Sequence, residues 1–296
     1  MKEIRLHTTV PTEPIGFRLT HDEPVLLVGS CFTENMGQRM AALRFETMLN
    51  PFGIMYNPLS MAEALRRCLD GEAVDERVLV QRDGLWHSWL HHGSFSRRNG
   101  QDCLDACNSH IARAQQFLGH CRRVIVTLGS AWYYVLKENG LVVANCHKVP
   151  AAQFELRLAS VDAIVEAWSP LMERLQKAGI EVLFTISPVR HSAYGAHGNQ
   201  LGKAALLLAV EQLCQQYGAY YFPAYEIVVD ELRDYRFYAD DLSHPSQMAE
   251  EIVWQRFQQA TMDDDTIALC DRYDSENRRA AHRTIQRGDD GEVNGS

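Results

Sequence analysis

The sequence predicts an α/β fold, a three-layer α/β/α sandwich with a mainly parallel central sheet. Two observations carry this prediction: four short segments are almost continuously apolar, and helical patterns alternate with them along the chain. Strands that are covered on both faces need continuous apolar residues, whereas half-exposed strands alternate. The four predicted strands are Val25–Gly29, Val124–Gly129, Val182–Ile186 and Ala219–Phe222.

The helical patterns lie after these strands, and most of them end at a glycine. The predicted helices run from Pro58 to Gly71, over Asp102–Gly119, over Val161–Ala178, over Asn199–Tyr217, and from Pro245 to about Ala260. Glycine readily adopts the left-handed conformation that ends a helix, which supports these boundaries. Ligands of such sheets bind at the carboxyl ends of the strands, so that is where we expect chemistry.

Composition narrows the range of partners. The chain has 296 residues with 46% hydrophobic residues, and its formal net charge is −9, from 29 basic and 38 acidic side chains. An acidic chain offers no evident binding surface for nucleic acid or for an anionic membrane. No apolar segment approaches the ~18 residues of a membrane helix, and the amino terminus lacks the apolar region of a signal peptide. The eight cysteines show no closely paired spacing, so we expect free thiols in the cytoplasm.

The chain divides into a catalytic-type domain over residues 1–261 and an acidic tail over residues 262–296. The tail combines many acids and arginines with few large apolar residues, which predicts one solvated helix over about 263–285 and a disordered end from Arg287. Two aromatic or glycine-containing insertions, near 79–98 and 136–157, are predicted to form hairpins that wall a pocket.

A nucleophile-bearing turn follows the first predicted strand. Gly29 is followed by Ser30 and Cys31, and then by a helix-like segment. The start of a helix offers free N–H groups that stabilise a thiolate or a developing oxyanion. Taken alone, the pair is equally compatible with a helix cap and a small buried residue.

The second chemical signal is Asp241, which precedes His244 by three residues. This spacing lets the carboxylate accept the Nδ1–H of the imidazole and leaves Nε2 for a nucleophile. The alternative is that Asp241 or Ser243 caps the following helix and that His244 is simply exposed.

The two signals together resemble a known family. The stretch GSCFTENMG (29–37) is similar to the GSCFA family, which is related to the SGNH or GDSL-type esterases. Further matching blocks are NPFGIMYNP (50–58), VTLGSAWYY (126–134), NCHKVP (145–150), SPVRH (187–191) and the run from 221 to 246. The resemblance covers about residues 2–260 and implies an SGNH-hydrolase-like fold with flavodoxin-like layering.

The resemblance also implies roles for individual residues. The esterase pattern Gly-Asp-Ser aligns with residues 29–31, so Cys31 takes the nucleophile position and Ser30 the Asp position. A shifted alignment keeps Ser30 as the nucleophile. His244 would be the general base, with Asp241 orienting it.

The implied oxyanion hole departs from the family pattern. Gly53 matches the glycine that normally donates an N–H, whereas the usual asparagine is replaced by Ala131. Substitute donors are Ser130, the Trp132 indole and Asn145. The block that contains Asn145 also supplies His147 and Lys148, which would complete the pocket unless they form a polar turn.

The resemblance implies an esterase or acyltransferase that acts on an O-acyl ester, with a carbohydrate ester as one substrate class and with no cofactor or metal. The oligomeric state is not predicted. A binding protein with a degenerate hydrolase pocket remains open, as does thiol-dependent or phosphate-ester chemistry in the same crevice. Arg190, Asn199 and Lys203 could contact a substrate anion, or the last two could lie on a solvated helix face.

Overall fold

The computed structural model describes residues 8–12 and 14–289, with side chains in the last helix as far as residue 280. In chain order its strands and helices are β1 (Val25–Gly29), α1 (Cys31–Ala42), β2 (Thr47–Leu49), α2 (Pro58–Asp70), β3 (Leu79–Arg82), β4 (Leu85–Ser88), α3 (Gly100–Leu118), β5 (Arg123–Leu128), β6 (Trp132–Leu136), β7 (Val142–Val143), β8 (Phe154–Leu158), α4 (Val161–Lys177), β9 (Glu181–Ile186), α5 (Gly195–Tyr217), β10 (Tyr220–Phe222), α6 (Ala224–Glu226), α7 (Gln247–Thr261) and α8 (Asp264–Asp289). None of the helices in this described part is long and apolar enough to span a bilayer.

The central sheet has five strands in the order β2-β1-β5-β9-β10, and all neighbours are parallel. This confirms the predicted fold class. The strand order reverses between β1 and β5, and ligands of open α/β sheets bind at that point, beyond the carboxyl ends of the strands. The carboxyl ends of β1 and β5 therefore lie where a ligand of this sheet is expected to bind.

Both faces of the sheet are covered. Helices α2 to α5 pack on one face, while α1, α7 and α8 pack on the other. Strand β5 shows why consecutive residues of a central strand are apolar: Val124 and Val126 are buried against the first layer, and Ile125 between them is buried against the second. Trp168 in α4 is fully buried, and its indole N–H donates to the Pro58 carbonyl at 3.0 Å.

Two antiparallel insertions stand beside the sheet. Strands β3 and β4 form a hairpin within the predicted range 79–98. Around 136–157 the chain forms a three-stranded sheet in the order β7-β6-β8, one strand more than the predicted hairpin. Its small core contains Trp89 edge-on to Phe154, with ring centroids 5.6 Å apart.

The start of α7 differs from the prediction. Ser246 caps the helix by accepting the N–H of Ala249 at 3.3 Å, so the helix begins at Gln247 and Pro245 lies before it. Pro245 is buried and pairs with Tyr238 in an isolated bridge. Met248 near the start of the helix is 61% exposed, whereas Val253 and Phe257 form its buried face.

The tail begins with a helix that is packed and not merely solvated. Cys270 in α8 is 1% exposed, and the Tyr273 ring lies edge-on to His21 with centroids 5.5 Å apart. The Arg44 guanidinium stacks on Tyr273 at 4.1 Å. The predicted disordered end lies mostly outside the described residues, from residue 290 onwards; the division into two units stays a prediction.

Candidate active site

One cavity of about 350 Å³ collects residues from distant parts of the chain. It is lined by Cys31 after β1, Ser130 after β5, His191 after β9, and both Asp241 and His244. A second compartment of about 370 Å³ adjoins it and shares several of its lining residues. Because the cavity lies at the carboxyl ends of the parallel strands, the fold itself explains why these residues meet there.

The turn after β1 depends on Gly29. A Cβ atom at this position would lie 2.4 Å from the Thr127 carbonyl oxygen, so only glycine fits. The Gly29 N–H donates to Asn50 Oδ1 at 2.8 Å, and Asn50 Nδ2 donates to the Glu34 carboxylate at 2.9 Å. These contacts fix the direction in which Ser30 and Cys31 leave the strand.

The structure treats the two candidate nucleophiles differently. Ser30 is 1% exposed, makes no capping hydrogen bond, and its Oγ finds no partner among the residues that the structure describes. Cys31 is the first residue of α1, is half-buried, and lines the cavity, whereas Ser30 does not. The geometry therefore favours Cys31 over Ser30 as the group that a ligand meets.

Opposing influences act on the Cys31 thiol. Burial raises its pKa, and the Glu250 carboxylate adds to this. The N–H of Phe32 and the positive charge of Lys203 act in the other direction, because both favour the thiolate. The helix start thus offers the thiolate hydrogen bonds, while the apolar surroundings favour the thiol.

The Asp241–His244 pair has the geometry that its spacing predicts. Asp241 Oδ2 accepts from His244 Nδ1 at 2.6 Å, and Oδ1 accepts the N–H groups of Ser243 and His244 at 2.9 Å each. The N–H and imidazole of His244 lower the pKa of Asp241 to about 2. Nε2 has no hydrogen-bond partner in the described part of the chain, and none joins the ring to Cys31. Such bonds often form only when substrate is bound.

The segment after β9 holds the loop that carries this pair. The N–H of Arg190 donates to the Ser243 carbonyl at 3.0 Å, and the N–H of Ala239 donates to the His244 carbonyl at 2.8 Å. Leu242 takes a left-handed conformation, with φ of +54°, which makes the turn tight. The loop is therefore shaped by its own backbone bonds and by the end of β9.

The run RDYRFY (233–238) follows β10 and α6 and holds several charges, but it does not brace this loop with a buried ion-pair network. Arg236 pairs with Asp234 at 3.0 Å, but their side chains are 71% and 49% exposed. Arg233 lies 3.7 Å from Asp230 and is likewise exposed. Both pairs join near neighbours at the surface, so they contribute little rigidity.

Two of the predicted oxyanion donors line the cavity, but their N–H groups are already engaged. The N–H of Ser130 donates to the Tyr56 carbonyl at 2.9 Å, and Ser130 Oγ accepts the N–H of Trp132 at 3.1 Å. The Trp132 indole N–H donates to the Gly198 carbonyl at 2.8 Å. Ala131, at the asparagine position, is fully buried. The Ser130 hydroxyl is the donor of this block that stays available.

Gly53 is not among the residues that line the cavity. Its N–H donates to the Asn50 carbonyl at 2.7 Å, and its φ of +79° belongs to a tight turn. A Cβ here would lie 2.3 Å from the Cβ of His92. The glycine is thus needed for the turn, and its N–H is committed to that turn in this structure.

The NCHK block also lies apart from the cavity lining. Asn145 Oδ1 accepts the N–H of His147, and the His147 ring donates to the Ser88 carbonyl at 2.7 Å. His147 stacks on His87 with centroids 4.6 Å apart, while Lys148 is exposed. Positive φ values at His147 and Lys148 mark a turn, so this block has the structure of the polar turn that we considered as its alternative.

Neither Lys203 nor Asn199 lies on a solvated helix face. Asn199 lines the adjoining compartment of about 370 Å³ together with Arg190, whereas Lys203 lines neither compartment. Lys203 is 1% exposed, and its Nζ donates to the carbonyls of Gly129 at 2.7 Å and Ser187 at 2.6 Å. Asn199 Oδ1 accepts the N–H of His191 at 2.9 Å. Burial lowers the pKa of Lys203 to about 7.

Sequence reasoning missed His191 and Tyr56 as cavity residues. Burial lowers the pKa of His191 to about 4, with the charges of Lys203 and His244 adding to the effect, so its ring is neutral at neutral pH. Its Nε2 is buried and has no partner within the described ranges. The Tyr56 ring stands edge-on to His191 at 5.7 Å. Tyr56 lies in the segment after β2 and His191 in the segment after β9. Their positions after strands of the central sheet could have indicated that they line the cavity.

The residues that the structure describes contain no group of three or more His, Cys, Asp or Glu side chains arranged to hold a metal ion.

A protein classed as an acylhydrolase from Bacteroides fragilis NCTC 9343 aligns in structure with 9% identity and a TM-score of 0.40, over 82% of this chain and 88% of its own. The psychrotrophic esterase EstA from a Pseudoalteromonas species, inhibited by monoethylphosphonate, aligns with 12% identity and a TM-score of 0.38, over 83% and 97%. No curated protein matches the chain in sequence. Residues 24–257 match the GSCFA family, and since this is well over half of its length, the chain belongs to the GSCFA family.

Proposed function

We propose that this protein is an ester hydrolase that cleaves an O-acyl ester with Cys31 as nucleophile and with His244, oriented by Asp241, as proton carrier. The observation that carries the proposal is that Cys31 and the Asp241–His244 pair line one cavity. Their order along the chain and their contexts are those of the SGNH-type esterases that the sequence resembles.

The reaction would proceed in two steps. His244 takes the proton of the Cys31 thiol, the thiolate attacks the ester carbonyl, the C–O bond to the alcohol breaks, and His244 gives that proton to the departing alkoxide. A water molecule then attacks the thioester while His244 takes a proton from it. The C–S bond breaks, the acid leaves, and His244 returns the proton to the Cys31 sulfur. The first N–H groups of α1, which lack intrahelical acceptors, and the Ser130 hydroxyl would stabilise the oxyanion.

The two compartments suggest how an ester would lie. A cavity of about 350 Å³ suits a short acyl chain beside Cys31, and the adjoining 370 Å³, which includes Arg190, Gln200 and Ser243, offers polar groups for the alcohol part. A hydroxyl acceptor in place of water would turn hydrolysis into acyl transfer. The hydroxyl groups of a carbohydrate ester would suit the polar groups of the second compartment. Apart from this, only the family resemblance supports a carbohydrate substrate.

A second candidate is a binding protein with a degenerate hydrolase pocket. It is favoured by Ala131 at the asparagine position and by the engaged N–H groups of Gly53 and Trp132. Losing one oxyanion donor typically costs about 10²–10³ in rate, so activity with a poor set of donors would be weak. This alternative predicts ligand binding without turnover.

Hydrolysis of short p-nitrophenyl esters tests the proposal. We expect turnover by the unaltered chain, loss of at least about 10³-fold with Cys31→Ala, as for other removed nucleophiles, and near-normal rates with Ser30→Ala. Cys214→Ala, another half-buried thiol, is the matched control. Turnover that survives Cys31→Ala but not Ser30→Ala would assign the serine, and no turnover by the unaltered chain would favour the binding protein.

A further inference from the structure

Arg190 carries a positive charge to the place where the two compartments meet. It lines the first compartment together with Cys31 and His244, and it lines the second together with Asn199. Because the same residue borders both spaces, a ligand that reaches from Cys31 into the second compartment passes Arg190. The residue is therefore placed to contact the part of a substrate that lies beyond the reacting carbonyl.

The Arg190 side chain is held in place while most of its donors stay open. Its guanidinium lies 5.7 Å from the ring centre of Tyr235 and 5.6 Å from that of Tyr238, both within the range of a cation–π contact. A guanidinium has five N–H donors, and the structure gives one weak bond, from Nη1 to the Leu242 carbonyl at 3.4 Å. No carboxylate of the described residues pairs with the guanidinium, so its charge is available to a ligand.

Asn199 adds a donor whose direction is fixed. Its side chain is 9% exposed, and its Oδ1 accepts the N–H of His191 at 2.9 Å. Because this bond settles which amide atom is the oxygen, Nδ2 remains as a donor. Nδ2 has no partner within the described part of the chain and is not fully enclosed by protein. Asn199 lines the second compartment, so its amide can donate to a ligand there.

The charges around the second compartment indicate what kind of group suits these donors. Arg190 is positive, and the start of α5, which has no side-chain cap, adds the partial positive charge of its first N–H groups. The Asp241 carboxylate lines this compartment too, but its oxygens already accept hydrogen bonds from the His244 ring and from the N–H of Ser243. A group with a negative charge and several acceptor oxygens therefore matches the open donors.

We propose that the second compartment binds an anionic group, a carboxylate or a phosphate, on the alcohol part of the ester, with Arg190 and Asn199 as its donors. This inference rests on the proposed function and names the class of ester that it favours. The anion takes no part in bond making. Its binding holds the ester carbonyl beside Cys31, so Arg190 determines specificity by contact with the substrate.

Three acetate esters test the proposal. The ester p-acetoxybenzoate carries a carboxylate on its alcohol part, p-acetoxyphenyl phosphate carries a phosphate, and methyl p-acetoxybenzoate carries neither. We expect Arg190→Gln to lower kcat/KM by at least about tenfold for one or both anionic esters, the scale of a hydrogen bond to a charged group, and to leave the neutral ester within about twofold. Comparing each ester with itself in the two proteins cancels differences in chemical reactivity, and the larger loss identifies the preferred anion.

Arg97→Gln is the matched control. Arg97 also donates to carbonyls, those of Ser94 and Ser96 at 2.9 Å, and it lines neither compartment. Arg190→Lys keeps the charge but loses the planar pair of donors, so we expect an intermediate preference, and this variant carries the comparison if Arg190→Gln does not fold. An equal loss for all three esters in folded Arg190→Gln overturns the proposal, because Arg190 then serves the loop and not the choice of substrate.

Binding of the products separates this proposal from the proposed function, because it needs no turnover. The probes are p-hydroxybenzoate and p-hydroxyphenyl phosphate, followed by isothermal titration calorimetry. Binding that is lost in Arg190→Gln, in a chain that hydrolyses no ester, would contradict the proposed function and retain the anion site. Turnover of the neutral ester with no preference for either anionic ester, and with no binding of either product, would retain the proposed function and overturn the anion site.

Discussion

Asn199 Oδ1 accepts the backbone N–H of His191 at 2.9 Å, and this bond ties the first turns of α5 to the segment that follows β9. Asn199 is 9% exposed, so the N–H of His191 would have no easy replacement for this acceptor. The same segment supports the Asp241–His244 loop through the bond from Arg190 to Ser243. The side-chain amide of Asn199 thus connects α5 to the segment after β9, which in turn supports the loop that carries His244.

We expect Asn199→Ala to lower the free energy of unfolding by about 1–3 kcal/mol, the usual cost of leaving a buried donor without a partner. Urea denaturation followed by fluorescence measures this. Asn139→Ala is the control, because Asn139 also accepts a backbone N–H, that of Leu141 at 3.0 Å, but in an exposed turn. Equal losses in the two variants would show that burial of the amide has no energetic consequence.

Gly29→Ala should disturb the turn that presents Cys31. The added methyl group would lie 2.4 Å from the Thr127 carbonyl oxygen in β5 and 2.5 Å from Thr33 Oγ1 in α1. Both threonines are buried, so neither can easily move away. We expect a loss of at least about 2 kcal/mol in unfolding free energy, typical of overpacking. Thermal melting measures it, and Gly93→Ala, where a Cβ meets nothing within 4 Å, should melt like the unaltered chain.

Much of the fold can be predicted from the sequence, because strands that are buried on both faces consist of nearly continuous apolar residues. Val25–Gly29 was placed without error, and the other predicted strands agree within about one residue with the observed ends. Strand β2 was missed because it has only three residues and none is fully buried, so it carries no apolar run. Periodicity therefore indicates well-covered strands and misses short edge strands.

The site was harder to predict, because its details depend on backbone directions. The motif pointed to the N–H of Gly53, yet that N–H turns back to Asn50. Lys203 shares its helix face with the buried Leu206 and Val210, which could have indicated burial. Its two acceptors, however, are the carbonyls of the residues that directly follow β5 and β9, and only the assembled sheet brings them together.

Lys203 should make stability depend on pH. Its pKa is about 7 in the folded chain against an ordinary 10.5, so above pH 7 the unfolded chain binds more protons and stability rises with pH. We expect the unaltered chain to gain stability relative to Lys203→Met between pH 7 and 8.5. Urea midpoints at the two pH values measure this, and a constant difference between the two proteins would show that Lys203 keeps its proton in the folded state.

Asp241→Asn should impair turnover while leaving the loop in place. The amide oxygen can still accept the N–H groups of Ser243 and His244, but it no longer offers a carboxylate to the imidazole N–H at 2.6 Å. The imidazolium that forms during the reaction then loses its stabilising charge, and the ring is free to take the wrong tautomer.

We expect the rate of ester hydrolysis by Asp241→Asn to fall by at least about 10²-fold, the scale of an impaired general base, with little change in melting temperature. Because the pKa of Asp241 is about 2, its carboxylate stays ionised from pH 4 upwards, and any loss of activity between pH 4 and 7 must come from another group. Asp240→Asn, next to it but without a hydrogen bond to the ring, is the control. A fall in activity that is equal in both variants would mean that the Asp241–His244 bond serves the loop and not the reaction.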